Sequence, residues 1–166
     1  LKLGINDKKI DKLENKLSIE ILNQIKKKNY YVPDKKITTK SRGIYQKIFS
    51  DMIKNNYHNK CSITGIKTRE LLIGSHIIPW SQNKKKRLDP RNGICLSSLI
   101  DKCFDKGLLT FNNEYRVVFA EKLKADKNLF KELSKYQFKK IRLPDNKKNY
   151  PSLDNLKNHW KEFNFI

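Results

Sequence analysis

The β-prone run Leu71 to Ile78 stops at Pro79, and the next such run, Ile94-Cys95-Leu96, leads at once into the serine pair Ser97-Ser98. Between them lies a polar loop, Ser81 to Asn92, carrying Lys84, Lys85, Lys86, Arg87 and Arg91. Ser97 or Ser98 caps a helix that runs to about Lys106, and Gly107 is suited to end it in the left-handed conformation. The unit reads strand, long loop, strand, helix, with the two short strands paired.

The flanking segments add helices and one hairpin. From Asp7 to about Lys28, Ile10, Leu13, Leu17, Ile21 and Ile25 recur at helical spacing, ending at Tyr30-Tyr31-Val32-Pro33. A second helix starts with Ser41 as N-cap and carries Ile44, Ile48, Phe49, Met52 and Ile53 on one face until Asn55-Asn56. The stretch Lys35 to Lys40 reads as a basic linker, so residues 1–40 form an accessory arm and residues 41–166 the main domain. Leu108 to Phe111 and Tyr115 to Phe119 form a hairpin across Asn112-Asn113, with helices near Lys127–Lys135 and Leu153–Phe163 beyond it. The fold class is α+β. The chain opens on Leu1 instead of Met, as expected of a piece of a longer protein or a processed product.

Charge narrows the partner. The chain has 37 Lys+Arg against 17 Asp+Glu, a net +20 that points to a polyanion, with nucleic acid the first candidate. A lysine-rich genome is the bland alternative. No apolar run approaches a membrane span, and no single amphipathic helix gathers the basic residues, so a membrane partner is not expected. Cys61, Cys95 and Cys103 form no CxxC pair, which argues against a structural zinc site and for free thiols in a reducing cytoplasm.

Four polar residues of the central unit can converge: His76 at the close of the first strand, Asn92 before the second, and Asp101 and Asp105 on the helix. The two aspartates are four residues apart, so they share a helix face at roughly 6 Å. Both are placed in the last turns of that helix, where the dipole disfavours anions. Such a pair asks for a cation. Lys102 and Lys106 can supply it at the surface, or a divalent ion can, and two hard oxygen ligands suit Mg²⁺ or Mn²⁺.

From Cys61 to Phe111 the sequence resembles the HNH, or ββα-metal, nucleases. The family pattern places a histidine at the first strand's end, an asparagine at the loop exit and a third polar residue nine positions later on the helix. Here these are His76, Asn92 and Asp101, with Asp105 where colicin-type members carry a further helix ligand. CSITG at 61–65, HIIPW at 76–80, NGICLS at 92–97 and FDKGL at 104–108 resemble an HNH subgroup of restriction endonucleases. That likeness extends from Ser41 onward and leaves residues 1–40 uncovered.

The resemblance implies a short antiparallel β pair and helix embedded among further helices and a hairpin. It implies hydrolysis of DNA phosphodiester bonds, with His76 as general base and one divalent metal on Asp101 and Asp105. The His76 tautomer would be set by the backbone carbonyl of Asn92, whose side chain braces the loop. Arg87 or Arg91 would clamp a neighbouring phosphate, and Lys84, Lys85 and Lys86 would track the DNA backbone. Double-stranded DNA is the expected substrate and a homodimer a possible assembly. The sequence departs from the family at Ser75, where many members carry an acidic residue or a second histidine, and it lacks their zinc-binding cysteine pairs. A Ser75 that does not bind metal leaves the ion on Asp101, Asp105, water and phosphate. Rival readings are a non-cleaving nucleic-acid-binding module on the same scaffold and a colicin-like nonspecific nuclease.

Overall fold

The computed structural model describes residues 4–34 and 39–165, with side chains described over 11–34 and 41–165. Helix α1 spans Gly4–Lys26 and α2 spans Thr39–Asn56. Residues 35–38 of the expected basic linker lie outside the described residues, as does the Ile10 side chain, while Thr39 and Lys40 are already helical and displace Ser41 from the N-cap. Strands β1 (Leu72–His76) and β2 (Gly93–Ser97) pair antiparallel with His76 opposite Gly93, and α3 (Ser98–Asp105) follows directly. A second hairpin joins β3 (Leu109–Phe111) to β4 (Val117–Phe119), followed by α4 (Lys127–Ser134) and α5 (Leu153–Phe163). The strand, loop, strand, helix order is therefore observed, and the fold is α+β. Among the described residues no helix is long and apolar enough to cross a membrane.

Helix α2 packs directly on the first hairpin. Its Phe49 and Ile53 are fully buried, and Gly74 of β1 permits the contact: a Cβ there would stand 2.6 Å from the Ser50 Cα. The helical periodicity thus identified the packed face, and the strand glycine lets that face reach the sheet. On α1, Ile21 is buried and Leu17 and Ile25 pack beside it, but Leu13 is 60% exposed. The segment after α1 is also held to the core: Val32 is fully buried, its N–H donates to the Lys84 carbonyl at 3.0 Å, and the Leu88 N–H donates to the Tyr30 carbonyl.

At the other end, α5 closes over β3. The Trp160 indole donates to the Phe111 carbonyl at 2.8 Å, and the His159 ring stacks on Phe104. His159 is therefore a buried packing residue, with Nε2 donating to the Phe104 carbonyl and Nδ1 accepting from Thr110. In the second hairpin the left-handed turn position falls on Tyr115 (φ 58°) and not on either asparagine; Asn112 instead accepts from the backbone N–H groups of Glu114 and Arg116.

Candidate active site

His76 ends β1 at the mouth of a cleft of about 470 Å³ that Ser75, Asp101 and Asp105 also line. Its ring lies flat on Phe49, centroids 3.7 Å apart, and meets the edge of Trp80 at 6.1 Å. Nε2 donates to a backbone carbonyl at 3.0 Å. A carbonyl only accepts, so Nε2 carries the proton and Nδ1 is left as the ring's acceptor. The carbonyl belongs to Arg87, not to Asn92 as the sequence reading had it. Burial pushes the His76 pKa down to about 4, with the Arg87 hydrogen bond opposing the shift. At neutral pH the imidazole is uncharged.

Asn92 does brace the loop. Its Oδ1 accepts from the Ile78 N–H at 2.8 Å, and its Nδ2 donates to the carbonyls of Ile78 and Lys86. Asn155 of α5, wholly buried, completes the network: its amide donates to Asn92 Oδ1, and its own oxygen accepts from Lys86 Nζ. Nothing in the local sequence around Asn155 marks it. It lies 63 residues from Asn92 along the chain and shows its role only through the packing of α5.

The two aspartates differ in setting. Asp101 sits in the first turn of α3, where the helix dipole favours an anion, so the expectation that both occupy the last turns holds for Asp105 alone. Asp101 is buried (6% exposed) and Asp105 stands at the exposed rim. Burial raises the pKa of both carboxyls, and the charge of Asp101 raises that of Asp105 further. The Ser75 hydroxyl, 3% exposed, has no well-aligned hydrogen-bond partner, yet it lies close enough to Asp101 to favour its ionised form. An oxygen-only donor set with an unpartnered buried hydroxyl beside two repelling carboxylates fits a hard divalent ion. Among the described residues no three His, Cys, Asp or Glu side chains gather as a complete ligand cluster, so water and phosphate would have to fill out its shell.

The basic loop is arranged otherwise than the sequence reading anticipated. Arg87 is buried, and its guanidinium donates to the carbonyls of Trp80 and Val32 and to Asp34, while stacking 4.6 Å from the Trp80 ring centroid. Its donors are committed within the fold, so the phosphate-clamp role gives way to a structural one: this clasp holds the backbone whose carbonyl orients His76. Lys84 pairs with Asp34 at 2.6 Å and Lys86 bonds Asn155, while Lys85 is exposed. None of Lys84, Lys85, Lys86 or Arg91 lines the His76 cleft. The cleft's cations are Lys102 and Lys106, and Glu162 of α5 forms part of its wall. Glu162 was not singled out in the sequence, because α5 carries no motif that ties it to His76.

The site thus combines a histidine fixed at a strand end, a loop-bracing asparagine and two helix carboxylates on a two-stranded antiparallel hairpin followed by a helix, the arrangement the sequence resemblance implies. Residues 61–112 match the family model described as HNH endonuclease. Among solved structures, the chain is similar to a modification-dependent TagI restriction endonuclease, with a TM-score of 0.50 and 19% identity. The likeness covers 69% of this chain and 37% of that one, and it bears on the fold. Comparison with curated proteins gave no match.

Proposed function

We propose that the protein is a metal-dependent DNA endonuclease of restriction or defence type, with His76 as general base. The carrying observation is that His76, its Nε2 proton held by the Arg87 carbonyl, shares one cleft with Asp101 and Asp105. Nδ1 accepts a proton from water as the water oxygen forms a bond to phosphorus and the bond to the leaving oxygen breaks. The negative charge of bound phosphate raises the His76 pKa from its depressed value toward the working pH, strengthening the base when substrate is present. Asp101 and Asp105, with the Ser75 hydroxyl beside them, would hold a divalent ion, Mg²⁺ or Mn²⁺, that supplies Lewis-acid stabilisation of charge on the phosphate. Lys102 and Lys106 at the cleft add positive charge for the DNA backbone.

Restriction-type cleavage is supported by the structural likeness to a restriction endonuclease and by the motif likeness described above. Double-stranded DNA as substrate, a homodimer and a reducing cytoplasm belong to the same proposal. The test is plasmid DNA incubated with Mg²⁺ or Mn²⁺, with EDTA and His76→Ala as controls. Cleavage that needs both metal and His76 supports the reading; equal cleavage by His76→Ala sinks it. The incomplete ligand cluster favours a second reading, a nucleic-acid-binding module that does not cut. A plasmid left intact across the metal series, with binding that weakens as salt rises, would establish that alternative.

A further inference from the structure

A second cleft, of about 730 Å³, shares no lining residue with the one at His76. Its walls come from four stretches far apart in sequence: Lys28 and Tyr30 after α1, Asp89 to Arg91 before β2, Tyr115 in the second hairpin, and residues 146–154. Three tyrosines, Tyr30, Tyr115 and Tyr150, line it and are half-buried, so each keeps part of its surface accessible. Tyr115 and Tyr150 meet edge to face at 5.9 Å, and the Tyr115 hydroxyl donates to the Pro151 carbonyl. Tyr115 also occupies the left-handed turn position, which glycine or asparagine fills with less strain. Its ring is thus held in the cleft against a local backbone preference.

The charge is equally specific. Lys28, Arg91, Lys147 and Lys148 line the cleft, and among the described residues none of their side chains is engaged in an ion pair or hydrogen bond. The two acids present are already occupied: Asp89 accepts the Arg91 backbone N–H, and Asp154 faces Lys157 at 3.7 Å. Free cations suit any anion, but three partly exposed tyrosines beside them suit one that also carries flat rings. A carboxylate-rich peptide would make no use of those tyrosines.

We propose that this cleft is a second nucleic-acid site, which takes an unpaired nucleotide with its base on the tyrosine faces and its phosphates on Arg91, Lys147 and Lys148. The site is separate from His76 and does not depend on whether the protein cuts DNA. It gives Arg91 the phosphate contact its sequence position implied, in a different place from the catalytic cleft.

The test is binding of a labelled hexathymidylate and an abasic hexamer of equal charge, read by fluorescence anisotropy in EDTA so that cleavage plays no part. The wild-type protein binds hexathymidylate about tenfold tighter than the abasic strand, the scale of one base–aromatic stack. Tyr150→Ala abolishes that ratio, Arg91→Gln with Lys147→Gln weakens both strands alike, and Lys131→Gln, at an exposed position of α4 outside both clefts, leaves the ratio unchanged. Thermal melts check folding, with Tyr30→Leu as the second aromatic variant should Tyr150→Ala melt early. Equal affinity of the wild type for both strands, a ratio that survives both aromatic variants, or a hexaglutamate binding as tightly as hexathymidylate overturns the proposal.

Discussion

Lowering the pH from 7 to 5 will destabilise the fold through His76 well before the carboxylates of the site are protonated in bulk. The ring is stacked on Phe49 and desolvated, with a pKa of about 4 against an ordinary 6.5. Because the folded pKa is the lower one, the unfolded chain binds more protons between these values. The neutral ring's contribution is therefore complete above pH 6.5 and lost progressively as pH falls toward 4. Each pKa unit is worth about 1.4 kcal/mol, so the full loss is about 3 kcal/mol, of which about 2 kcal/mol falls between pH 7 and pH 5. That is a substantial part of a typical stability of about 5–15 kcal/mol. His159, also depressed by burial, adds loss of the same sign, while Asp101 and Asp105, both raised, contribute in the opposite direction. Histidine-ring NMR isolates His76 from these by following its own titration, and urea denaturation at the two pH values measures the total. A His76 midpoint at or above 6.5 would refute the reasoning, since it would mean that desolvation against Phe49 does not outweigh the Arg87 hydrogen bond that favours the charged ring.

Two further outcomes follow from the same geometry. Asp101→Asn removes a buried charge that also repels Asp105, so in metal-free buffer it should raise stability by about 1 kcal/mol, or about 2–4 °C in a calorimetric melt, while abolishing cleavage; a lower melting temperature contradicts this. Asn92→Ala strips the Ile78 N–H, two backbone carbonyls and Asn155 of their partner, and should cost about 2–4 kcal/mol in urea titrations. A loss below about 1 kcal/mol would mean that water replaces the asparagine.

The spacing of His76, Asn92, Asp101 and Asp105 was legible because it depends on chain order: a strand end, a loop exit and two positions on one helix face keep their relations once each element forms. The same locality let periodicity mark Phe49 and Ile53 as the inner face of α2. What it did not mark was the partner of that face, since an apolar stripe specifies burial and leaves the contacted surface open.

The basic loop shows where linear reading gives out. Arg87 and Arg91 have the same local character, yet Arg87 folds inward to Val32 and Asp34, which are 55 and 53 residues away, and Arg91 points to a separate cleft. A long cation on a polar loop can serve either purpose, and the choice falls to whichever acceptors the distant chain supplies. The carbonyl that orients His76, the Asn155 that locks Asn92 and the tyrosines gathered around Arg91 all arise in this way. The order of elements and the chemistry available to the site are written in the chain itself. The hydrogen-bond partners and the second cleft exist because folding brings together residues whose local sequence carries no trace of one another.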